Sequence, residues 1–383
     1  MRWEKVKLGD IATFSNGINF NKTAYAKGIK LIGVSNFGDR FYPDYSQLQE
    51  VKKDIVRLED CLRNGDIVFV RSNGNKELVG RCMLVKNPTE RVTYSGFCIR
   101  ARLNDTDRYD PVYFTYYFKS KAFRRAVSGT AVGANIQNLS QARLSNHECR
   151  VPSIEVQHRI ADILSAYDDL IENNQKQIKL LEEAAQRLYK EWFVDLRFPG
   201  HENTKIVDGV PEEWRKFPLE EIAPVVTGKK DANYGDKGGN YPFFTCSQET
   251  ITAPGYSFDT SAVILAGNGD FNVKLYRGKF EAYQRTYVLA PFDHSNLFNL
   301  YFTVQDNMEA LTKGASGSTI KFLTKGMLQK ILVLTADKKI LDKFNDYEEN
   351  IQQKVEALKK QVEDLTEIRN RLLPKLMSGE VEV

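Results

Sequence analysis

Trp3-Glu4-Lys5-Val6-Lys7-Leu8-Gly9-Asp10-Ile11-Ala12 returns 211 residues later as Trp214-Arg215-Lys216-Phe217-Pro218-Leu219-Glu220-Glu221-Ile222-Ala223. Trp, Lys, Leu, Ile and Ala coincide, and the same offset carries Gly17 onto Gly228. A cluster of matches in one register marks an internal duplication, which sets the architecture before any single element is assigned.

Working outward, each half closes on a second echo. Gly133-Ala134-Asn135-Ile136-Gln137-Asn138-Leu139 resembles Gly317-Ser318-Thr319-Ile320-Lys321-Phe322-Leu323. A short apolar strand follows, around Val151 in one half and over Ile331-Leu332-Val333-Leu334 in the other. A long helical pattern comes next. Ile160, Tyr167, Ile171 and Ile178 answer Ile340, Tyr347, Ile351 and Leu358 at an offset of 180, and Leu181 and Leu188 answer Leu365 and Leu372 at 184. The slip of four residues is about one helical turn. The expected order is a first globular domain over 1–152, a central helix over 153–197 and a linker over 198–210. A second globular domain follows over 211–335, then a C-terminal helix over 336–377.

The helices read clearly. Ser153 to about Val194 contains no proline or glycine, and Pro152 stands where a helix start tolerates it. Ile171, Ile178, Leu181, Ala185, Leu188 and Trp192 follow a heptad, with Asn174 the one polar residue in the seam. The second helix is expected from about Asp337 to Leu373, ending near Pro374. Such helices also suit a dimerising coiled coil. Their place inside the repeat, one per globular segment, favours a pair formed within the chain. Helices of ~40 residues reach about 60 Å, enough to space two reading heads one turn of DNA apart.

The globular halves mix short strands with few helices. Asp66–Arg71 is an apolar run ending in Ser72-Asn73-Gly74-Asn75, and Gly80–Val85 follows as a strand. Ser261–Ala266, ending in Gly267-Asn268-Gly269-Asp270, is its counterpart, with further strands at Val273–Arg277 and Tyr287–Leu289. Aromatic-faced helices are expected over Pro111–Val127 and Leu297–Leu311.

The charge is uneven. Residues 1–150 hold 25 Lys/Arg against 15 Asp/Glu, a net of +10, whereas 201–335 hold 14 against 15. A basic first domain suits a polyanion, though a solvated basic surface fits as well. Arg and Lys reach phosphates or guanine, and Asn and Gln pair with adenine. The DNA-binding candidates are therefore Arg71, Asn73, Asn75, Lys76 and Arg81 in the first half. In the second they are Lys229, Lys230, Tyr241, Gln248, Lys274, Arg277 and Arg285. A plain surface role competes for each, and the Asn-Gly pairs also serve turn chemistry.

Catalytic signatures are missing. No glycine-rich dinucleotide or phosphate loop occurs. Asp110-Pro111-Val112-Tyr113 is only faintly like an amino-methyltransferase motif and reads as a helix start. Pro43-Asp44 with Glu50-Val51-Lys52 is too tightly spaced, in a loop, for a nuclease carboxylate pair. Gly314–Thr319 has the composition of a phosphate cradle, but its echo at Gly129–Ala134 argues for a structural loop. Five scattered cysteines and four histidines show no metal-ligand spacing and suit reduced thiols in the cytosol. No apolar run is long enough for a membrane span, and the N-terminus lacks the apolar core of a signal peptide.

With these residues in view the chain resembles the specificity subunits of type I restriction–modification enzymes. The carriers are the two Trp-x-x-x-x-Leu-x-x-Ile-Ala segments, the two Gly-x-x-Ile-x-x-Leu loops, Val151–Ala161 with its Glu155-Val156-Gln157, and Gly278–Arg285. The likeness spans essentially the whole chain; one departure is Ala336–Ile340, which lacks the Glu-x-Gln pattern. The resemblance implies an α+β fold. Two similar mixed α/β target-recognition domains would be separated by two long antiparallel coiled-coil helices in a pseudo-twofold repeat. It implies a cytoplasmic, non-catalytic reader of a split, asymmetric site in double-stranded DNA, with no cofactor and no metal of its own. Two modification (methyltransferase) subunits would bring S-adenosylmethionine, and restriction/translocase subunits would bring ATP and Mg chemistry. A coiled-coil scaffold that binds protein without DNA specificity is the alternative.

Overall fold

The structure is a computed structural model that describes residues 3–38, 40–72, 78–128, 138–315 and 321–383. It forms two compact units, Met1–Gln175 with Lys360–Val383, and Lys176–Lys359. Both long helices contribute to both units.

In the first unit the strand Glu4–Lys7 pairs antiparallel with Glu148–Val151, Glu4 standing opposite Val151. The domain thus begins and ends on one ladder, which hands the chain directly to the first long helix, Ile154–Tyr189. Between these ends lie two sheets. One is antiparallel, in the order Ala12–Asn16, Cys98–Leu103, Ile67–Val70, Cys82–Leu84. The other runs Gln49–Val51, Tyr25–Ile32, Val92–Tyr94, the last pair being parallel. Ile67–Val70 is buried at every position, which explains an unbroken apolar run in place of an alternating one.

The expected aromatic helix is two helices, Pro111–Lys119 and Lys121–Ser128. Ser120 turns extended between them, and its hydroxyl accepts from Phe123 N at 3.2 Å, restarting the chain as a cap. The carboxylate of Asp110 accepts from Val112 N and Tyr113 N, so it caps the first of these helices with Pro111 in the first turn. Gln157 is buried. Its Oε1 accepts from Asp110 N at 2.9 Å and its Nε2 donates to Arg108 O and Pro152 O. One amide therefore ties the start of the long helix to the start of the aromatic helix.

The second unit repeats this plan. Arg215–Pro218 pairs antiparallel with Leu332–Thr335, and one six-stranded sheet fills the domain. Its order is Val225–Thr227, Thr286–Leu289, Phe258–Ala266, Val273–Ala282, Tyr241–Phe244, Ile251–Ala253. This is the first unit's pair of sheets joined. The single strand Val273–Ala282 does the work of Cys82–Leu84 at one end and of Val92–Tyr94 at the other, where it pairs parallel with Tyr241–Phe244. Gly278, at φ 115°, supplies the left-handed residue within that strand. The helix Leu297–Lys313 covers the sheet.

The long helices run antiparallel within each unit. In the first, Asn174 Nδ2 donates to Gln361 Oε1 at 3.1 Å and Asp168 pairs with Arg369, one number falling as the other rises. In the second, Lys359 meets Glu182 at 3.1 Å and Tyr347 meets Trp192. The heptad asparagine is thus buried and bonded across the seam.

The second long helix, Lys338–Ser378, passes through Pro374 instead of stopping before it. Interior proline costs about 3 kcal/mol. Leu376 is fully buried in the first unit's core, with Leu372, Leu373 and Met377 packed beside it. A fully buried leucine contributes about 1.5–3 kcal/mol, so Leu376 with its partly buried neighbours offsets a cost of that size. The repeated tryptophans are sockets for the helix ends. Trp3 lies over Gly379, the left-handed residue (φ 75°) that follows Ser378. Trp214 packs on Phe193 and Phe198, ring centroids 5.4 and 4.6 Å away, where the first long helix ends in a π turn over Lys190–Val194.

Candidate nucleic-acid interface

Each domain contains a junction where five segments meet, and six backbone bonds of one junction have counterparts in the other. Arg71 N donates to Phe97 O at 2.8 Å, and Gly267 N to Arg285 O at 2.9 Å. Leu139 N donates to Arg71 O, and Leu323 N to Gly267 O, both at 2.8 Å. Gly17 N reaches Cys98 O as Gly228 N reaches Thr286 O. Gly96 N reaches Ile18 O as Gln284 N reaches Lys230 O. Ser95 N reaches Ile32 O as Tyr283 N reaches Phe244 O, and a turn closes from Cys98 N to Ser95 O as from Thr286 N to Tyr283 O.

This junction accounts for the sequence repeats. A Cβ on Gly17 would lie 2.1 Å from Tyr94 O, and one on Gly228 1.9 Å from Ala282 O, so only glycine permits the approach. Leu139 and Leu323, the last residues of the two Gly-x-x-Ile-x-x-Leu sequence motifs, bond to the strand ends at Arg71 and Gly267.

The frame is shared and the side chains on it differ. In the first domain the turn is Ser95-Gly96-Phe97; in the second it is Tyr283-Gln284-Arg285. Phe97 is 63% exposed between Cys98 and Tyr94, which are fully buried. Arg71 keeps its place beside the turn, its Nη1 donating to Gly96 O at 3.3 Å. Arg81 lies where the hairpin from Val70 returns, its carbonyl accepting from Val70 N. Asn73, Asn75 and Lys76 lie outside the described residues.

The second junction gathers more of its candidates. Arg285 and Lys229 are exposed, and the Lys230 ammonium sits 4.4 Å from the centre of the Tyr234 ring. Lys274 Nζ donates to Ser247 O at 2.9 Å, and burial pulls its pKa below the usual lysine value. Gln248 is exposed in the same loop. Cys246 Sγ contacts Arg285 O. Two candidates stand apart. Tyr241 stacks obliquely on Tyr256, which also carries Lys279 over its ring. Arg277 pairs with Glu349 of the second long helix at 2.7 Å and lies over Phe298, fastening strand to helix. Phe97 and Gln284 are further exposed residues of the two turns that the sequence does not single out, because the turns share no residue.

The carboxylates singled out by motif point elsewhere. Asp44 accepts from Ser46 and Arg40, which hold it below the usual aspartate range, while Glu50 Oε2 accepts from Gly28 N at 2.6 Å. Among the described residues no group of three or more His, Cys, Asp or Glu is placed to hold a metal ion. Burial pushes the Cys82 thiol up to about 11 and those of Cys98 and Cys149 to about 12, so all three stay protonated at neutral pH.

Two copies of one frame with unlike tips, each followed by a long helix, define a duplicated protein of two similar domains. Residues 1–183 and 211–364 match the Type I restriction modification DNA specificity domain, and the chain belongs to that family. It is 38% identical over 176 residues to the EcoDI type I restriction enzyme specificity subunit of Escherichia coli, a match covering 45% of this chain and 39% of that protein. It is 27% identical over 336 residues to the MjaIX specificity subunit of Methanocaldococcus jannaschii, covering 80% of this chain and 76% of that one. In fold it is similar to the crystal structure of the type I restriction–modification S subunit from M. genitalium. There the TM-score is 0.62 at 18% identity, with 98% and 96% of the two chains covered. The expected α+β architecture, with its internal repeat and two long helices antiparallel within each unit, is the one observed. No helix among the described residues is long and apolar enough to cross a membrane.

Proposed function

We propose that the chain is the DNA sequence-specificity subunit of a type I restriction–modification complex, reading an asymmetric, bipartite site in double-stranded DNA. The observation that carries this is the junction: the same backbone bonds in both domains, with Phe97 on one tip and Arg285 on the other. Alike frames fix alike docking of each domain on a duplex, and unlike tips read unlike half-sites. Arg71, Arg81, Lys229, Lys230, Gln248, Lys274 and Arg285 are the proposed contacts, together with Asn73, Asn75 and Lys76. The two long helices set the spacing of the half-sites and dock two modification subunits. This chain supplies specificity and no active site. S-adenosylmethionine, ATP and Mg belong to the modification and restriction subunits, and the complex works in the cytoplasm.

The test is an exchange of residues 211–335 for the corresponding domain of another family member, followed by mapping of methylated sites. Only one half of the methylated sequence should change. If both halves changed, or neither did, the modular reading would be wrong. Co-purification without any methyltransferase subunit, and no retention on duplex DNA, would favour the protein-binding scaffold.

A further inference from the structure

The turn at Ser95–Phe97 is over-determined, and its tip is not. Gly96 N, Ser95 N and Cys98 N are all bonded, Phe97 N donates to Ser95 Oγ, and Phe97 O receives both Arg71 N and Ser72 N. Gly96 is crowded enough that a Cβ there would lie 2.1 Å from Asn19 Oδ1. A backbone held by three other segments, at Ile18, Ile32 and Arg71–Ser72, carries the Phe97 ring as a projection at 63% exposure. Exposed apolar residues are common singly and need no explanation by themselves. Leu58 and Phe292 are as exposed, yet neither belongs to the junction. Phe97 differs on three counts: it sits beside Arg71, in the domain of net charge +10, and at the position that Arg285 fills in the duplicate.

We propose that the third residue of this turn is a specificity-determining position, and that Phe97 makes an apolar contact with a thymine methyl group in the first half-site. A phenyl ring can neither donate to nor accept from a base edge. The apolar group that duplex DNA offers in the major groove is the C5 methyl of thymine. Arg285, at the equivalent place, carries donors that suit guanine O6 and N7. The two tips then discriminate by different chemistry from one scaffold position. This rests on the DNA-reading function proposed above.

The experiment uses the chain co-purified with its modification subunits and a duplex carrying the methylated site mapped in the host genome. Each thymine of the first half-site is replaced in turn by deoxyuridine, which lacks only the methyl group. For the wild-type complex one such replacement should weaken binding about fourfold, the equivalent of ~0.8 kcal/mol for one buried methyl. Phe97→Ala should weaken binding to the thymine duplex roughly tenfold, as loss of one base contact does, with an unchanged salt slope and no further effect of deoxyuridine. Phe97→Leu, which keeps an apolar tip, should retain the deoxyuridine effect, and Leu58→Ala should change nothing. If every thymine position is silent in the wild type, or if Phe97→Ala still responds to deoxyuridine, the assignment is overturned while the specificity function stands. If the wild-type complex does not bind the mapped duplex at all, the function itself fails first.

Discussion

Glu348 offers a measurement that isolates one buried group. It lies on the second long helix, fully buried, and neither carboxylate oxygen has a hydrogen-bond partner among the described residues. Burial pushes its pKa from 4.5 up to about 8. The folded chain therefore binds one more proton than the unfolded chain between roughly pH 4.5 and 8, and stability falls as pH rises through that window. The slope is about 1.4 kcal/mol per pH unit, so the loss relative to acid conditions reaches about 3 kcal/mol at pH 7. Glu348→Gln keeps the shape and removes the proton. Its buried amide adds an offset that does not vary with pH. The variant's thermal midpoint should therefore gain on the wild type as pH rises from 5 to 8. At roughly 2–4 °C per kcal/mol for a body of this size, the difference should grow by several degrees per pH unit. Scanning calorimetry of both proteins at pH 5, 6, 7 and 8 reads this directly. Parallel midpoints across the series would show that the folded carboxyl titrates as it does in the unfolded chain, as a solvated group would, and would refute the reasoning.

Other outcomes follow from the junction and the helix pair. Gly228→Ala, which places a Cβ on Ala282 O, should fold yet lose recognition of one half-site, seen as degenerate bases in that half of the methylation map. Maleimide should modify Cys246, the half-exposed thiol, far faster than the buried thiols, and duplex DNA carrying the site should protect it; equal rates with and without DNA would place Cys246 off the interface. Lys229→Ala should flatten the dependence of log affinity on log salt by about one unit, the signature of a lost phosphate contact. Asp168→Ala unties Tyr116, bonded to it at 2.6 Å, and Arg369 together, and should cost about 3 kcal/mol in urea unfolding.

The frame was legible because its residues are constrained by contacts that any reader of this fold must make. Trp3 and Trp214 fill helix-end sockets, Gly17 and Gly228 sit against carbonyls, and Leu139 and Leu323 pin the closing segments. Each leaves the same letter in both halves. Heptad spacing likewise showed the helices, and missed only that tertiary burial of Leu376 carries the second one through Pro374. The tips were not legible for the opposite reason. They hang on N–H and C=O groups, which every residue possesses, so Ser95-Gly96-Phe97 and Tyr283-Gln284-Arg285 keep the same bonds with no letter in common. Fusion of two strands into Val273–Ala282 was hidden too, because a single positive-φ glycine, Gly278, achieves it.

That division has a consequence for how such a protein changes its target. If the junction is held by backbone bonds alone, replacing a tip side chain alters what is read without altering what holds the reader. Exposed substitutions away from caps and cores usually stay within about 0.5 kcal/mol. Phe97→Arg and Arg285→Phe should each leave the thermal midpoint within about 1–2 °C of the wild type while moving the preferred base in one half-site. The frame offers the contrast. Leu139→Ala, at a residue 2% exposed whose N–H fixes Arg71 O, should cost about 2–5 kcal/mol and weaken the first half-site at every base together. A tip exchange that unfolds the domain as readily as Leu139→Ala would mean that side chains, not the backbone ladder, hold the junction, and the separation of frame from readout would fall.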